Sequence, residues 1–160
     1  MKKINKEEVV DTTEEIKEIK ASRFEIEQQL NTLVGSLKVK DLSPEGKIAL
    51  VHLKLALTKI KTEIEEFRKT TIDSINKPEK LDELKEAAEK ENATDEVKSA
   101  FKQVETEYNK EFAEVAIPYY NAIVSIPFNF ISESDFDSIV KNNDLDALFG
   151  YEYIHDKLVR

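Results

Sequence analysis

The stretch Ser43–Thr71, SPEGKIALVHLKLALTKIKTEIEEFRKTT, decides the fold because its apolar residues follow a helical repeat. A seam in steps of three and four, which keeps one face apolar, is formed by Leu50, Leu53, Leu57, Ile60, Ile64, Phe67 and Thr71. Ser43 suits the N-cap and Pro44 the first helical position. A second apolar face at the beginning of the helix contains Ile48, Val51, Leu55 and Ala56. We therefore expect the beginning of this helix to be sandwiched and its end to be covered on one side.

A second amphipathic segment precedes this helix. Steps that are mostly three or four residues separate Val9, Thr12, Ile16, Ile19, Arg23, Ile26, Leu30, Leu33 and Leu37. This spacing predicts a helix of more than about 30 residues. Because only a short connection joins the two helices, we expect them to form a long antiparallel hairpin, each helix about 50 Å long.

The region after the hairpin begins with a polar connection and continues into a third helix. Pro78 opens a short helix within this charged stretch. From about Thr94 onward, one apolar face is formed by Val97, Phe101, Val104, Tyr108, Phe112 and Val115. Pro118 is expected to end the third helix, because proline disfavours helical geometry in the residue before it.

The C-terminal part, residues 118–160, has a different pattern. Alternation over Tyr119–Ile126 predicts a strand, and YEYIHDKLV (151–159) is expected to pair with it. Ser132 suits the N-cap of a short helix, and NNDLDALFG (142–150) predicts another helical turn closed by Gly150. The predicted fold is mainly α: a helical hairpin and third helix in residues 1–117, and a small strand–helix–strand module in residues 118–160, packed together as one domain.

Composition narrows the function. The chain has 160 residues, a formal net charge of −9 and no cysteine. This charge argues against nucleic acid and anionic lipid as partners, and the lack of cysteine excludes disulfides and thiolate sites. No apolar run reaches the roughly 20 residues of a membrane span, and no apolar segment follows the basic start, as a signal peptide would require. We expect a cytoplasmic protein without membrane contact.

One arrangement of acidic residues is typical of an enzyme. Glu63 and Glu66, followed by Glu79 and Asp82, could direct four carboxylates at magnesium. In this respect the chain resembles the all-α nucleotide pyrophosphohydrolases. However, such pairs recur by composition in a chain with 33 acidic residues. His52 and His155 are far apart in sequence, which makes a poor metal site. We predict no catalytic residue, no metal and no cofactor.

The aromatic residues near the C-terminus allow two interpretations. They could form a second small core, or part of the set could be an exposed contact surface, since aromatics are enriched at binding hot spots. A two-stranded sheet also leaves edges that a partner strand could extend. The predicted partner-binding residues are Tyr119, Tyr120, Ile123, Phe128, Phe130, Tyr151 and Tyr153. Under this hypothesis, deletion of residues 118–160 leaves a soluble helical protein that no longer binds.

The order of these parts resembles a family of small phage-encoded proteins of uncharacterised function. The matching segments are KIALVHLKLALTKIKTEIEEF, YNKEFAEVAI and VSIPFNFISESDFDSIVKNNDLDALFGYEYI. The resemblance implies a structural or assembly role and supplies no catalytic residues. The preferred hypothesis is a non-enzymatic phage virion component or assembly factor that oligomerises or docks on a larger protein, in the bacterial host cytoplasm or in the virion. The alternatives are a cytoplasmic coiled-coil adaptor or chaperone-like protein, and the magnesium-dependent hydrolase.

Overall fold

The computed structural model of the protein describes residues 17–75, 77–143 and 150–160. The elements in chain order are β1 (Glu18–Ser22), α1 (Arg23–Glu25), a π-helical segment (Ile26–Leu30), α2 (Asn31–Ser36), α3 (Pro44–Ser74), α4 (Leu81–Ala88), α5 (Asp95–Asn121), β2 (Ile123–Pro127), α6 (Glu133–Asn143) and α7 (Tyr151–Leu158). The described chain is mainly helical with one small antiparallel sheet, which confirms the predicted fold class.

Helix α3 is the central element and begins where the sequence predicts. The hydroxyl oxygen of Ser43 accepts a hydrogen bond from the backbone N–H of Gly46, 3.0 Å away, and Pro44 occupies the first turn. Its 31 residues make a rod about 46 Å long. Leu50, Leu53 and Leu57 on the predicted seam are almost fully buried.

The first helical segment is much shorter than predicted. Residues Glu18–Ser22 form strand β1, and helix begins only at Arg23, where the Ser22 hydroxyl caps it by accepting from the Glu25 N–H. The spacing of Ile19, Arg23 and Ile26 fits a helix, but Ile19 and Ala21 also alternate, and in the structure both are buried on the strand. The part of the predicted helix before Lys17 lies outside the described residues.

The sheet pairs β2 with β1, so the predicted pairing of β2 with residues 151–159 is wrong. The antiparallel register runs from Glu18 opposite Pro127 to Ser22 opposite Ile123. The strand predicted over Tyr119–Ile126 begins only at Ile123, because the residues before it belong to α5; its Val124 and Ile126 face the interior.

The segment predicted to be the second strand is helix α7. Ile154 and Leu158 are four residues apart and both fully buried, which is the spacing of a helix face. Gly150 lies at the N-cap of α7. The predicted helical turn over residues 144–149 lies outside the described residues. Ser132 caps α6 as predicted, accepting from the Asp135 N–H at 3.1 Å.

Helix α5 continues through Pro118 to Asn121, so the predicted end at Pro118 is wrong. Proline removes one backbone hydrogen bond, but Pro118 lies on the exposed side of the helix. The turn after it is held by tertiary contacts of Tyr119 and Tyr120, described below. These contacts override the local preference.

A single apolar cluster joins both ends of the chain. Its members from residues 19–64 include Ile19, Ile26, Leu30, Leu50, Leu53 and Leu57. Its members after residue 117 are Ile126, Phe128, Ile131, Phe136, Ile139, Ile154, Leu158 and Val159. An isolated parallel β-bridge between Ile131 and Val159 joins the segment before α6 to the residue after α7. The C-terminal elements therefore complete the core around the first half of α3.

Asp135 on α6 fixes the beginning of α3. One carboxylate oxygen accepts from the Ser43 backbone N–H at 2.7 Å and the other from the Ser43 hydroxyl at 2.6 Å, and Asp135 is 7% exposed. A negative charge at a helix N-terminus is favourable. Gly46 makes room for it, because a Cβ at this position would collide with the carboxylate.

The described elements leave most of the second apolar face of α3 exposed, contrary to the prediction of a sandwiched helix; Ala56 of that face is partly buried against the core. Ile48, Val51 and Leu55 are 58%, 44% and 64% exposed.

Candidate functional site

The two neighbouring tyrosines at the end of α5 lie where α5 meets the C-terminal half of α3 and the start of α1. The ring of Tyr119 is stacked on Phe67 with centroids 3.5 Å apart, and the Arg23 guanidinium lies 4.3 Å from the centroid of the Tyr119 ring. Arg23 also donates a hydrogen bond to the Tyr119 carbonyl at 3.3 Å. Burial raises the pKa of the Tyr119 hydroxyl. Tyr119 is thus a half-buried side chain that fastens α5 to α1 and α3.

Tyr120 belongs to a polar network at the surface. Arg68 of α3 donates to the Tyr120 hydroxyl at 2.9 Å and to a Glu27 carboxylate oxygen at 2.6 Å. Hydrogen bonds to Glu27 and Tyr120 raise the pKa of Arg68. This network ties the π-helical segment, α3 and α5 together, and it orients the Tyr120 ring along the edge of an open depression.

That depression is the α1–α5 groove, an apolar cleft of about 470 Å³. Its lining consists of Phe24, Glu27, Phe112, Ala113, Ala116, Ile117, Tyr120 and Asn121. Phe24 and Ile117 are 56% and 58% exposed, although both are large apolar side chains. Ala113 and Ala116 are small, so a partner can approach the backbone of α5 closely. Ile123, which is 64% exposed, pairs with Ser22 two residues before Phe24.

The groove also contains an unusual backbone feature. The π-helical segment Ile26–Leu30 follows Phe24 and includes Glu27. Single π-helical turns within α-helices occur frequently at functional sites. In this chain the wider turn carries the Glu27 carboxylate that holds Arg68 against Tyr120.

The seven predicted partner-binding residues lie in four places. Tyr119, Tyr120 and Ile123 lie at or near the α1–α5 groove. Phe128 and Phe130 contact each other edge to face at 5.5 Å, and Phe128 is only 4% exposed. The other two lie apart on α7: Tyr151 packs on Phe136, and Tyr153 on α1.

Sequence reasoning missed Phe24, Ile117 and Arg68. Phe24 and Ile117 each lie beside a predicted helical seam, and no local pattern shows that the two would approach each other across α1 and α5. Their exposure as large apolar residues is visible only after folding.

Tyr153 has a structural partner in α1. Its hydroxyl donates to a Glu25 carboxylate oxygen at 2.7 Å, and Lys157 makes an ion pair with the same carboxylate at 2.8 Å. Burial opposes ionisation of Glu25, but the hydrogen bonds from Lys157 and Tyr153 outweigh it and lower the pKa of Glu25 below 4.5. Burial and the bond to Glu25 raise the pKa of Tyr153.

This pair predicts a pH-dependent contribution to stability. Since the pKa of Glu25 is lower in the folded chain, its contribution is present above pH 4.5 and lost as pH falls through the folded-state pKa. Glu25→Gln should lower the free energy of unfolding by about 1–3 kcal/mol near neutral pH. The difference in the free energy of unfolding between this variant and the wild-type protein should disappear at acidic pH. Urea denaturation from acidic to neutral pH measures this difference. A difference that does not change with pH would contradict a stabilising role of the ionised Glu25 carboxylate.

The acidic pairs do not meet in a metal site in the described ranges. No group of three or more histidine, aspartate or glutamate side chains is arranged to hold a metal ion among residues 17–75, 77–143 and 150–160. Lys77 forms an ion pair with Asp82 at 2.7 Å. His52 is exposed on α3, and His155 lies 3.1 Å from a carboxylate oxygen of Glu133.

Comparison of the chain with protein-family models, curated proteins and solved structures gave no match. Among the helices that the structure describes, each is too short or too polar to cross a membrane.

Proposed function

We propose that this protein is a non-enzymatic interaction protein that docks on a larger protein partner through the α1–α5 groove. The observation that carries the proposal is the groove itself, an open apolar cleft flanked by two exposed large side chains, Phe24 and Ile117. Monomeric proteins expose large contiguous apolar patches rarely, and such patches commonly mark interaction sites.

The occupant that best fits this groove is an amphipathic helix of the partner. Two helices form the walls of the cleft, and the small residues Ala113 and Ala116 lie along α5 beside the larger Ile117. Helix-in-groove binding places apolar anchors spaced by three and four residues into such a cleft. The carboxylate of Glu27 is already bound by Arg68, so apolar contact dominates what the groove offers.

The resemblance to small phage-encoded proteins supports a biological setting for this binding. Under the proposal, the protein is a virion component or an assembly factor, and it acts in the host cytoplasm or within the virion. In this setting the protein docks on another structural protein of the same phage or oligomerises.

The test is co-expression with the products of neighbouring genes, followed by co-purification of the variants. Ile117→Lys should reduce partner binding by roughly a hundredfold, because it introduces a charge into the apolar contact. Ile72→Lys is the matched control: Ile72 is 45% exposed but lies on α3 outside the groove. Retention of binding by Ile117→Lys, or equal loss in both variants, would contradict the proposal.

A further inference from the structure

A second apolar surface lies on α3, facing away from the core. We call Ile48, Val51 and Leu55 the outer stripe; they are spaced by three and four residues and are 58%, 44% and 64% exposed. A helix packed on one side ordinarily carries polar residues on its other side. In the described part of the chain the outer stripe is therefore a largely exposed apolar surface, and at its Ile48 end it borders a cavity that Phe130 and Ile131 also line.

The outer stripe has a basic surround, although the whole chain has a net charge of −9. Between Pro44 and Thr62 the basic side chains besides His52 are Lys47, Lys54, Lys59 and Lys61, and the acidic one is Glu45. Lys47 is four residues before Val51 and Lys59 four after Leu55, so both border the stripe. Lys59 is 80% exposed, and its 4.0 Å ion pair with Glu63 is of the solvent-exposed kind that contributes little.

An apolar face surrounded by acidic residues is found on the α4–α5 arm, which we define as residues 81–108. Helix α4 packs on α5 and leaves the apolar face of α5 only half-buried; this face consists of Val97, Phe101, Val104 and Tyr108. The acidic residues of the arm are Asp82, Glu83, Glu86, Glu89, Glu91, Asp95, Glu96, Glu105 and Glu107; its lysines are Lys85, Lys90, Lys98 and Lys102. The arm is thus an incompletely covered apolar face in an acidic surround.

The two surfaces match in length as well as in charge. From Val97 to Tyr108 the face is about 16 Å long, and from Ile48 to Lys59 the stripe with its bordering lysine has the same length. A chain cannot place its own arm on its own stripe. The arm begins beyond the C-terminal end of α3, and the stripe lies about 29 Å or more before that end.

We propose that the outer stripe of one copy binds the α4–α5 arm of a second copy, head to tail. The inference rests on the proposed function and specifies how its self-association occurs. Pairing of two outer stripes would bring Lys47 and Lys59 of both copies together, which like-charge repulsion disfavours. Contact between different surfaces of identical chains produces a ring where the geometry closes and a filament where it does not.

The test uses two variants that each remove one side of the contact. Leu55→Asp changes the stripe and Val104→Asp changes the arm. Light scattering with size-exclusion chromatography should show concentration-dependent assembly of the wild-type protein, weakened roughly a hundredfold in either variant. A mixture of the two variants should form a one-to-one dimer, because each supplies the surface that the other lacks.

A charge-reversal pair provides a second measurement without altering the half-buried face. Glu105 and Glu111 are exposed and border the apolar face of the arm, four residues after Phe101 and three after Tyr108. Glu105→Lys with Glu111→Lys should weaken assembly, and a partner chain carrying Lys47→Glu with Lys59→Glu should restore it. Ile117→Lys should assemble as the wild-type protein does.

Three results would overturn the inference. These are a wild-type protein that stays monomeric at high concentration, assembly unaffected by Leu55→Asp or by both changes to the arm, and variants that fail to complement when mixed. If assembly fails while partner binding still depends on Ile117, the proposed function stands and the head-to-tail contact does not.

Discussion

Deletion of residues 118–160 is expected to abolish cooperative folding of the remaining chain. The deleted part supplies Ile126, Phe128, Ile131, Phe136, Ile139, Ile154, Leu158 and Val159 to the same cluster that buries Leu50 and Leu53. Full burial of a large apolar side chain contributes about 1.5–3 kcal/mol, so the loss of eight of them is comparable to or larger than the roughly 5–15 kcal/mol that stabilise a typical domain. Strand β1 would also lose its partner.

Circular dichroism and urea denaturation of the fragment 1–117 measure this effect. We expect reduced helicity and no cooperative transition, which is the opposite of the soluble helical protein predicted from the sequence pattern. The full-length variant Ile117→Lys is the control, because it changes an exposed residue at the truncation point and should unfold as the wild-type protein does. A fragment that retains a sharp transition would mean that the helices have a core of their own.

The sequence predicts those features that depend on local chemistry. Ser43 and Pro44 set the start of α3, Ser132 caps α6, and the alternation that ends at Ile126 correctly indicates strand from Ile123 onward. In each case the signal and the structure it controls lie within a few residues. The seam of α3 is equally predictable, since apolar steps of three and four that continue over several turns are typical of an amphipathic helix.

The errors have a common physical origin in contacts between distant residues. Pro118 lies inside α5 because Tyr119 stacks on Phe67, 52 residues earlier. The apolar spacing in Glu18–Ser22 fits both a helix and a strand, and these residues form a strand because they pair with β2. For α7, aromatic alternation suggested a strand, but burial of Ile154 and Leu158 on one face decides for helix.

The candidate site was predictable only in part. Tyr119 and Tyr120 were identified by composition, since aromatics concentrate near the C-terminus. The rest of the α1–α5 groove depends on Phe24 and Ile117, which are 93 residues apart. Similarly, the pattern revealed a second apolar face on α3 but not whether another element covers it. Each omission concerns which surface remains open after the chain has folded.

The two faces of α3 make possible a matched pair of substitutions only two residues apart. Leu57 is 1% exposed within the core, whereas Leu55 is 64% exposed on the outer stripe. Leu57→Asp should lower the free energy of unfolding by about 4–5 kcal/mol, through lost burial and a charge that has no partner. Leu55→Asp should cost less than about 1 kcal/mol, chiefly the lower helix propensity of aspartate.

Urea denaturation at a dilute concentration separates the two effects, because self-association would otherwise add to the apparent stability of the wild-type protein. Both variants carry the same residue in the same helix, so helix propensity and net charge cancel in the comparison. The difference of about 3–4 kcal/mol that remains reports burial. If the two variants are equally stable, or if Leu55→Asp is the less stable of the two, α3 is rotated relative to the hydrophobic core. The outer stripe would then be an internal surface, and the head-to-tail contact would lose its basis.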